Sequence, residues 1–230
     1  MKSKFSFLRL PGLFFLMTVV VALLSWVGSI YGWRSVQSLL GADGVRWVLR
    51  HVLADYVQTP ALGIVLVMFM GLGIGVRAGF YHAFRCVWRR GKQLSGKERR
   101  AFRLSLICLA VYGFTVAFSV PYLKSVTGSL LHSPFEAGFF YILSFGWGLS
   151  GVVYGYASNT CRSSTDIIEG MSCLIARFAA YFVTLFMVVQ FFSVLRYTGL
   201  AAGTFFDGMV QEVVFRICCY LPLLGEVRKS

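Results

Sequence analysis

PGLFFLMTVVVALLSWVGSIYGW, residues 11–33, is apolar throughout, holds no Asp, Glu, Lys or Arg, and follows the basic residues Lys2, Lys4 and Arg9. About 20 predominantly apolar residues are enough for a helix to cross the hydrocarbon of a bilayer, so this stretch predicts a transmembrane helix. It closes on Tyr31, Gly32 and Trp33. Aromatic residues at that point suit a retained anchor in the interface, whereas a cleaved signal peptide has a shorter apolar core and small residues at its cleavage site.

The rest of the chain extends this reading. Hydrophobic residues make up 57% of it, charged residues 13%, and the mean hydropathy is +0.72. A soluble domain is about 25% charged. Four more stretches are long and apolar enough to span: Leu62 to Phe80 or slightly beyond, Leu104 to Leu123, Phe135 to Ala157 and Cys173 to Leu195. Stretches of this length match helical spans. The fold class predicted is all-α integral membrane, with about five transmembrane helices plus two interfacial amphipathic helices.

Charge sets the orientation. Arg85, Arg89, Arg90, Lys92, Lys97, Arg99, Arg100 and Arg103 supply eight of the 22 Lys and Arg, against the single acid Glu98 in that stretch. By the positive-inside rule this loop is cytoplasmic, and the N-terminus lies on the same side. Most of the net charge of +13 is then topological. A basic loop flanked only by lipid-soluble sequence excludes nucleic acid as its partner, with contact to anionic lipid as a secondary role. Three parts follow in order: residues 1–80 as a two-span unit with an outer interfacial helix, 81–104 as the basic loop, and 105–230 as a three-span unit with a C-terminal amphipathic helix.

The two surface helices are read from periodicity. Val45, Val48, Leu49, Val52 and Tyr56 recur at helical spacing with Asp43, Arg46 and Arg50 on other faces, and Gln58-Thr59-Pro60 ends the pattern. Val210, Val213, Val214, Ile217 and Leu221 repeat it among Asp207, Gln211, Glu212 and Arg216. Three charges in so short a stretch make a poor sixth span. Whether residues 205–224 cross stays open: with five spans the C-terminus is outside, and a sixth would return Arg228 and Lys229 to the cytoplasm.

Chemical motifs are few. Cys86, Cys108, Cys161, Cys173, Cys218 and Cys219 form no CxxC pair and have no histidine at zinc-ligand spacing, so they read as small packing residues. His51, His82 and His132 fall in three separate loops and cannot share a metal, so no metal ligand and no cofactor is expected. Gln211-Glu212-Val213-Val214-Phe215-Arg216 is similar to the EExxxR helix of intramembrane proteases related to the prenyl-protein endopeptidases. Gln211 replaces the first of the paired glutamates, however, and Glu212 with Arg216 reads as a surface i,i+4 pair. No catalytic residue is assigned, and the chain is not expected to be an enzyme. Asp166 and Glu169 read as solvated loop charges, and Arg77 as a residue that snorkels to the interface. Gly71, Gly75 and Gly79 form two overlapping GxxxG patterns on one helical face, a surface on which another helix can pack closely.

Several blocks together carry a resemblance. SLLGADGVRW at 38–47, PALGIVLV at 60–67 and GLGIGV at 71–76 resemble the start of the p-aminobenzoyl-glutamate (AbgT-type) transporter family. SPF at 133–135, VYG at 153–155 and DIIEGMS at 166–172 are similar to its middle section, and Phe178 to Gln190 with TGL at 198–200 to the helix that follows.

The resemblance implies a dimeric carrier in the bacterial inner membrane, driven by an ion gradient and moving p-aminobenzoyl-glutamate or sulfonamide-like antimetabolites. In that family two re-entrant hairpins hold substrate and ion. Here Gly79 leads almost directly into Arg85 to Arg103, where the family has the first hairpin, and the second would lie beyond residue 230. The form expected is therefore a shortened one lacking both hairpin regions, to which no substrate-binding residue carries over. Two readings follow: a reduced transporter of this family, or a non-transporting scaffold or dimerisation subunit (or decayed remnant) of a full-length carrier. The partners expected are the lipid bilayer, a second copy or a related transporter chain, and a folate-catabolite or sulfonamide-like substrate.

Overall fold

The computed structural model describes residues 9–33, 35–88, 95–124, 133–204 and 208–227. Among these, the regular structure is helical. The helices are α1 (Arg9–Ile30), α2 (Ala42–Gln58), α3 (Pro60–Arg77), α4 (Phe80–Trp88), α5 (Gly96–Ser119), α6 (Pro134–Ser158), α7 (Ser164–Arg177), α8 (Ala179–Thr198) and α9 (Met209–Val227). A 3₁₀ turn, Val120–Leu123, extends α5. Five helices are long and apolar enough to cross a membrane: α1, α3, α5 with its extension, α6 and α8. This is the fold class expected. Of the basic loop, Arg89, Arg90 and Lys92 lie outside the described residues, as do Lys2, Lys4, His132, Asp207, Arg228 and Lys229.

Three boundaries differ from the sequence expectation, each for a local reason. The third span begins at Gly96, so Lys97, Arg99, Arg100 and Arg103 sit on the first two turns of α5 rather than in a loop. Ser95 and Glu98 form a capping box there, and the Ser95 amide donates to Glu98 Oε2 at 2.9 Å. The fifth span begins at Ala179 because Phe178 departs from helical geometry, which places Cys173 in the separate helix α7. The second span stops at Arg77, and Gly79 adopts φ +86, a left-handed conformation that favours glycine.

The same capping logic recurs. Glu136 N donates to Ser133 Oγ at 3.3 Å at the start of α6. At the start of α7, Thr165 N donates to Ser163 Oγ, while Asp166 Oδ2 accepts from the amides of Arg162 (2.8 Å) and Ser163 (3.0 Å). Three helices thus start on Ser-x-x-acid, which satisfies amide donors that the first turn leaves without partners. The expectation that Asp166 and Glu169 are merely solvated is corrected: Asp166 closes a cap, and Glu169 Oε2 pairs with Arg77 Nη2 at 2.6 Å. Both partners of that pair are about half exposed, so it contributes at most ~1 kcal/mol.

Contacts group the chain into two compact units, Met1–Gly63 with Phe178–Ser230, and Ile64–Arg177. They are units of packing and do not follow the three-part order along the chain. In the first, α8 is the hub. Phe191 meets Phe14 of α1 (ring centroids 5.7 Å apart), Phe186 meets Tyr56 of α2 (5.2 Å), and Phe192 meets Phe215 of α9 (5.4 Å). Tyr181, also on α8, donates its hydroxyl to the Cys219 carbonyl of α9 at 3.1 Å. The α1–α2 connection is tied down by the buried Ser25, whose Oγ accepts from Leu39 N at 3.1 Å, and by Gln37 N, which donates to Thr198 O at 3.0 Å.

In the second unit the fully buried Phe80 of α4 is surrounded by Phe102, Trp147 and Tyr154, with centroids 5.1–6.0 Å away. Helices α5 and α6 lie side by side, with the Tyr112 hydroxyl donating to Ile142 O at 2.9 Å. The opposite face of α5 presents Leu104, Ile107, Val111, Phe114 and Phe118, all more than half exposed. Such a stripe suits contact with lipid tails.

The backbone donors at the α7 cap hold the Asp166 carboxyl below its ordinary range. A lowered folded-state value means that the contribution is complete above the unfolded value of about 4 and is lost as pH falls through the folded value. Hydrogen exchange at residues 162–168, corrected for intrinsic rates, is expected to accelerate in acid in the native chain. Asp166→Asn should exchange fast already at neutral pH and show no such titration; an unchanged profile in the variant would refute the cap.

Candidate functional site

One helix turn repeated along α2 brings Trp47, His51 and Asp55 to the same face, and this face turns toward α8 rather than toward water. The sequence expectation had taken Val45, Val48, Leu49, Val52 and Tyr56 as the apolar stripe. In the structure that stripe divides. Val45, Leu49, Leu53 and Val57 are 49–79% exposed and form an outward apolar ridge. Tyr56 turns inward, where its hydroxyl donates to Phe182 O (3.2 Å), and Gln190 Nε2 donates to the Val52 backbone carbonyl (2.7 Å). Asp43 and Arg46 make an exposed i,i+3 pair at 3.7 Å on the remaining face.

The inward polar residues open a pocket of about 380 Å³ within the first unit, lined from α2 and its C-terminal turn, from α8 between Val189 and Arg196, and by Phe215 of α9. Its aromatic wall is fixed by stacking: the Trp47 indole lies between His51 (4.7 Å, 13°) and Tyr197 (4.4 Å, 23°). His51 Nδ1 donates to Trp47 O at 2.9 Å, which locks the imidazole to the helix.

Two charges of opposite sign line this space. Asp55 on α2 accepts from the Ser193 hydroxyl of α8, and Thr59 Oγ1 donates to Asp55 O at 2.7 Å. Arg196, one turn beyond Ser193, holds its guanidinium 5.7 Å from the centroid of the Phe215 ring. Neither Asp55 nor Arg196 forms an ion pair among the described residues. Sequence reasoning passed over Asp55. The signal was the spacing Trp47, His51, Asp55, four residues apart each time, which puts three non-aliphatic side chains on one face.

The glycines chosen from the sequence lie elsewhere, in the second unit. Gly71 and Gly75 of α3 face α6. A Cβ on Gly71 would collide with the Ser144 carbonyl, and one on Gly75 with the Trp147 indole nitrogen. The facing surface of α6 is Ser144, Gly148, Gly151 and Gly155. A Cβ on Gly148 would lie 3.3 Å from Gly71 Cα, and one on Gly151 3.0 Å from Gly75 Cα. Ser144 Oγ donates to Val67 O at 2.5 Å across the seam. Gly79 is corrected: it is a turn residue outside α3 and does not continue this face. The α6 half of the seam was legible as small residues spaced four, three and four apart, but had not been read.

The remaining candidates separate. Cys161 and Cys219 are buried, and burial pushes the Cys161 thiol up, with the nearby Asp166 carboxylate adding to the shift, so this sulfur is a packing group. No group of three or more metal-ligating side chains occurs among the described residues. Glu212 and Arg216 form an exposed pair at 2.6 Å, the i,i+4 contact expected, while Gln211 is buried. His51 and His82 belong to α2 and α4 rather than to loops.

The model of the AbgT putative transporter family matches residues 87–207, just over half of the 230-residue chain. The first three resembling blocks, residues 38–47, 60–67 and 71–76, lie outside that match. Among solved structures, the Alcanivorax borkumensis YdaH transporter, described as having an unusual topology, aligns with a TM-score of 0.73. It is 17% identical, and the alignment covers 84% of this chain and 71% of that one, a likeness that shows the fold. No curated protein sequence matches the chain.

Glycine costs about 1 kcal/mol relative to alanine inside a helix, so alanine should help wherever space allows. At Gly113 nothing lies within 4 Å of an added Cβ, whereas at Gly71 the backbone of α6 is in the way. Thermal unfolding in detergent is therefore expected to show Gly113→Ala as neutral or stabilising and Gly71→Ala as destabilising by about 1–3 kcal/mol. Equal stability of the two variants would remove the seam as a packing constraint.

Proposed function

The chain belongs to the AbgT putative transporter family, and from that premise we propose that it carries a small polar organic solute across the bacterial inner membrane. The substrate class is p-aminobenzoyl-glutamate or sulfonamide-like antimetabolites, and an ion gradient drives the movement. The observation that carries this reading is the family match over residues 87–207, on a fold that aligns with a solved transporter. Family membership places the chain among multi-pass membrane proteins, and transport is not an enzyme class.

The orientation proposed has the N-terminus inside, because Arg85, Lys97, Arg99, Arg100 and Arg103 cluster at the facing ends of α4 and α5. The order proposed is 1–80, 81–104 and 105–230, the middle part being one basic cytoplasmic region that includes α4 and the first turns of α5. The working unit proposed is a pair, formed by a second copy or by a related transporter chain. A scaffold that carries nothing has less in its favour, since the family match is to transporters.

Purified full-length chain in liposomes, with labelled p-aminobenzoyl-glutamate and an imposed proton or sodium gradient, tests the proposal. Accumulation that collapses when an ionophore dissipates the gradient is the expected result. Solute movement indistinguishable from protein-free liposomes under both gradients would count against transport and favour the scaffold.

A further inference from the structure

The pocket in the first unit holds a cation and an anion that the fold does not pair with each other. Arg196 and Asp55 both line it, and neither forms an ion pair among the described residues. Both are nevertheless positioned. The Asp55 carboxylate is fixed by the Ser193 hydroxyl, and the Arg196 guanidinium by the face of Phe215. A charge held in place beside apolar surface, without a counter-charge, is one that a ligand can satisfy with little reorganisation.

The surroundings narrow the ligand further. Trp47 offers the edge of an indole whose faces are stacked on His51 and Tyr197, and Phe192 and Phe215 hold each other at 5.4 Å. Pockets of 300 Å³ and above accept small organic molecules, and this one is about 380 Å³. A simple anion would answer Arg196 and leave Asp55 without a counter-charge, while a simple cation would do the reverse. A molecule with both charges meets both.

We propose that this pocket binds a small zwitterion with an aromatic body, its carboxylate on Arg196, its ammonium on Asp55 and its ring against the Trp47 and Phe215 walls. Binding here requires no movement across the bilayer, so it stands or falls separately from the transport reading. The alternative is that Arg196, two residues from the end of α8, only reaches for the membrane interface, and that Asp55 only joins α2 to Ser193.

The test uses the full chain in lipid nanodiscs and isothermal titration with three probes: L-phenylalanine, L-phenylalaninamide, which lacks the carboxylate, and 3-phenylpropionate, which lacks the ammonium. L-Phenylalanine is expected to bind at least about tenfold more tightly than either truncated probe, as loss of one charge-assisted contact implies. Arg196→Gln should erase its advantage over the amide, and Asp55→Asn its advantage over phenylpropionate. The comparison of probes on the native chain decides the matter even if a variant fails to fold. No binding of L-phenylalanine above empty nanodiscs, or equal affinity for all three probes, would overturn the proposal. So would folded variants that keep both preferences.

Discussion

A peptide group in hydrocarbon has no water to bond, and an amide or carbonyl left unpaired there costs several kcal/mol. That constraint governs the chain more than any single contact. It makes each of the five apolar segments a helix, and it moves all interesting backbone chemistry to the helix ends. There the chain uses its hydroxyls and its few acids. Ser95 with Glu98, Ser133 with Glu136, and Ser163 with Asp166 each satisfy amides that the first turn exposes. Ser25 does the same for the incoming connection through Leu39 N.

Because lipid tails are as apolar as leucine, burying apolar surface does little to bring such helices together. Shape and hydrogen bonds do it instead, and the two units solve the problem differently. In Ile64–Arg177 the backbones of α3 and α6 approach through glycine on both sides, with Ser144 bonding across to Val67. In the other unit α8 carries large side chains, and its partners dock through aromatic pairs together with Tyr181 to Cys219 and Gln190 to Val52. A seam of glycines admits little compromise in side-chain size. A hub of aromatics with polar cross-links leaves gaps, and one of these is the pocket that Asp55 and Arg196 share.

The sequence alone determined that the chain is helical and membrane-embedded, roughly where its five long apolar segments run, with the starts of the third and fifth displaced to Gly96 and Ala179, and which family it resembles. These follow from length and composition, since hydrocarbon thickness fixes how many apolar residues a span needs whatever its neighbours are. Local devices such as the three Ser-x-x-acid caps were also written there, because capping depends on residues three apart. Tertiary structure decided the rest. Periodicity could show that α2 has a patterned face but not that it has two, because an apolar stripe looks the same whether it meets lipid or protein. Asp55 and Ser193 are separated by 138 positions, and Gly71 and Ser144 by 73. Which faces meet over such distances is settled by close packing of specific surfaces, a property of pairs of helices that no single helix displays.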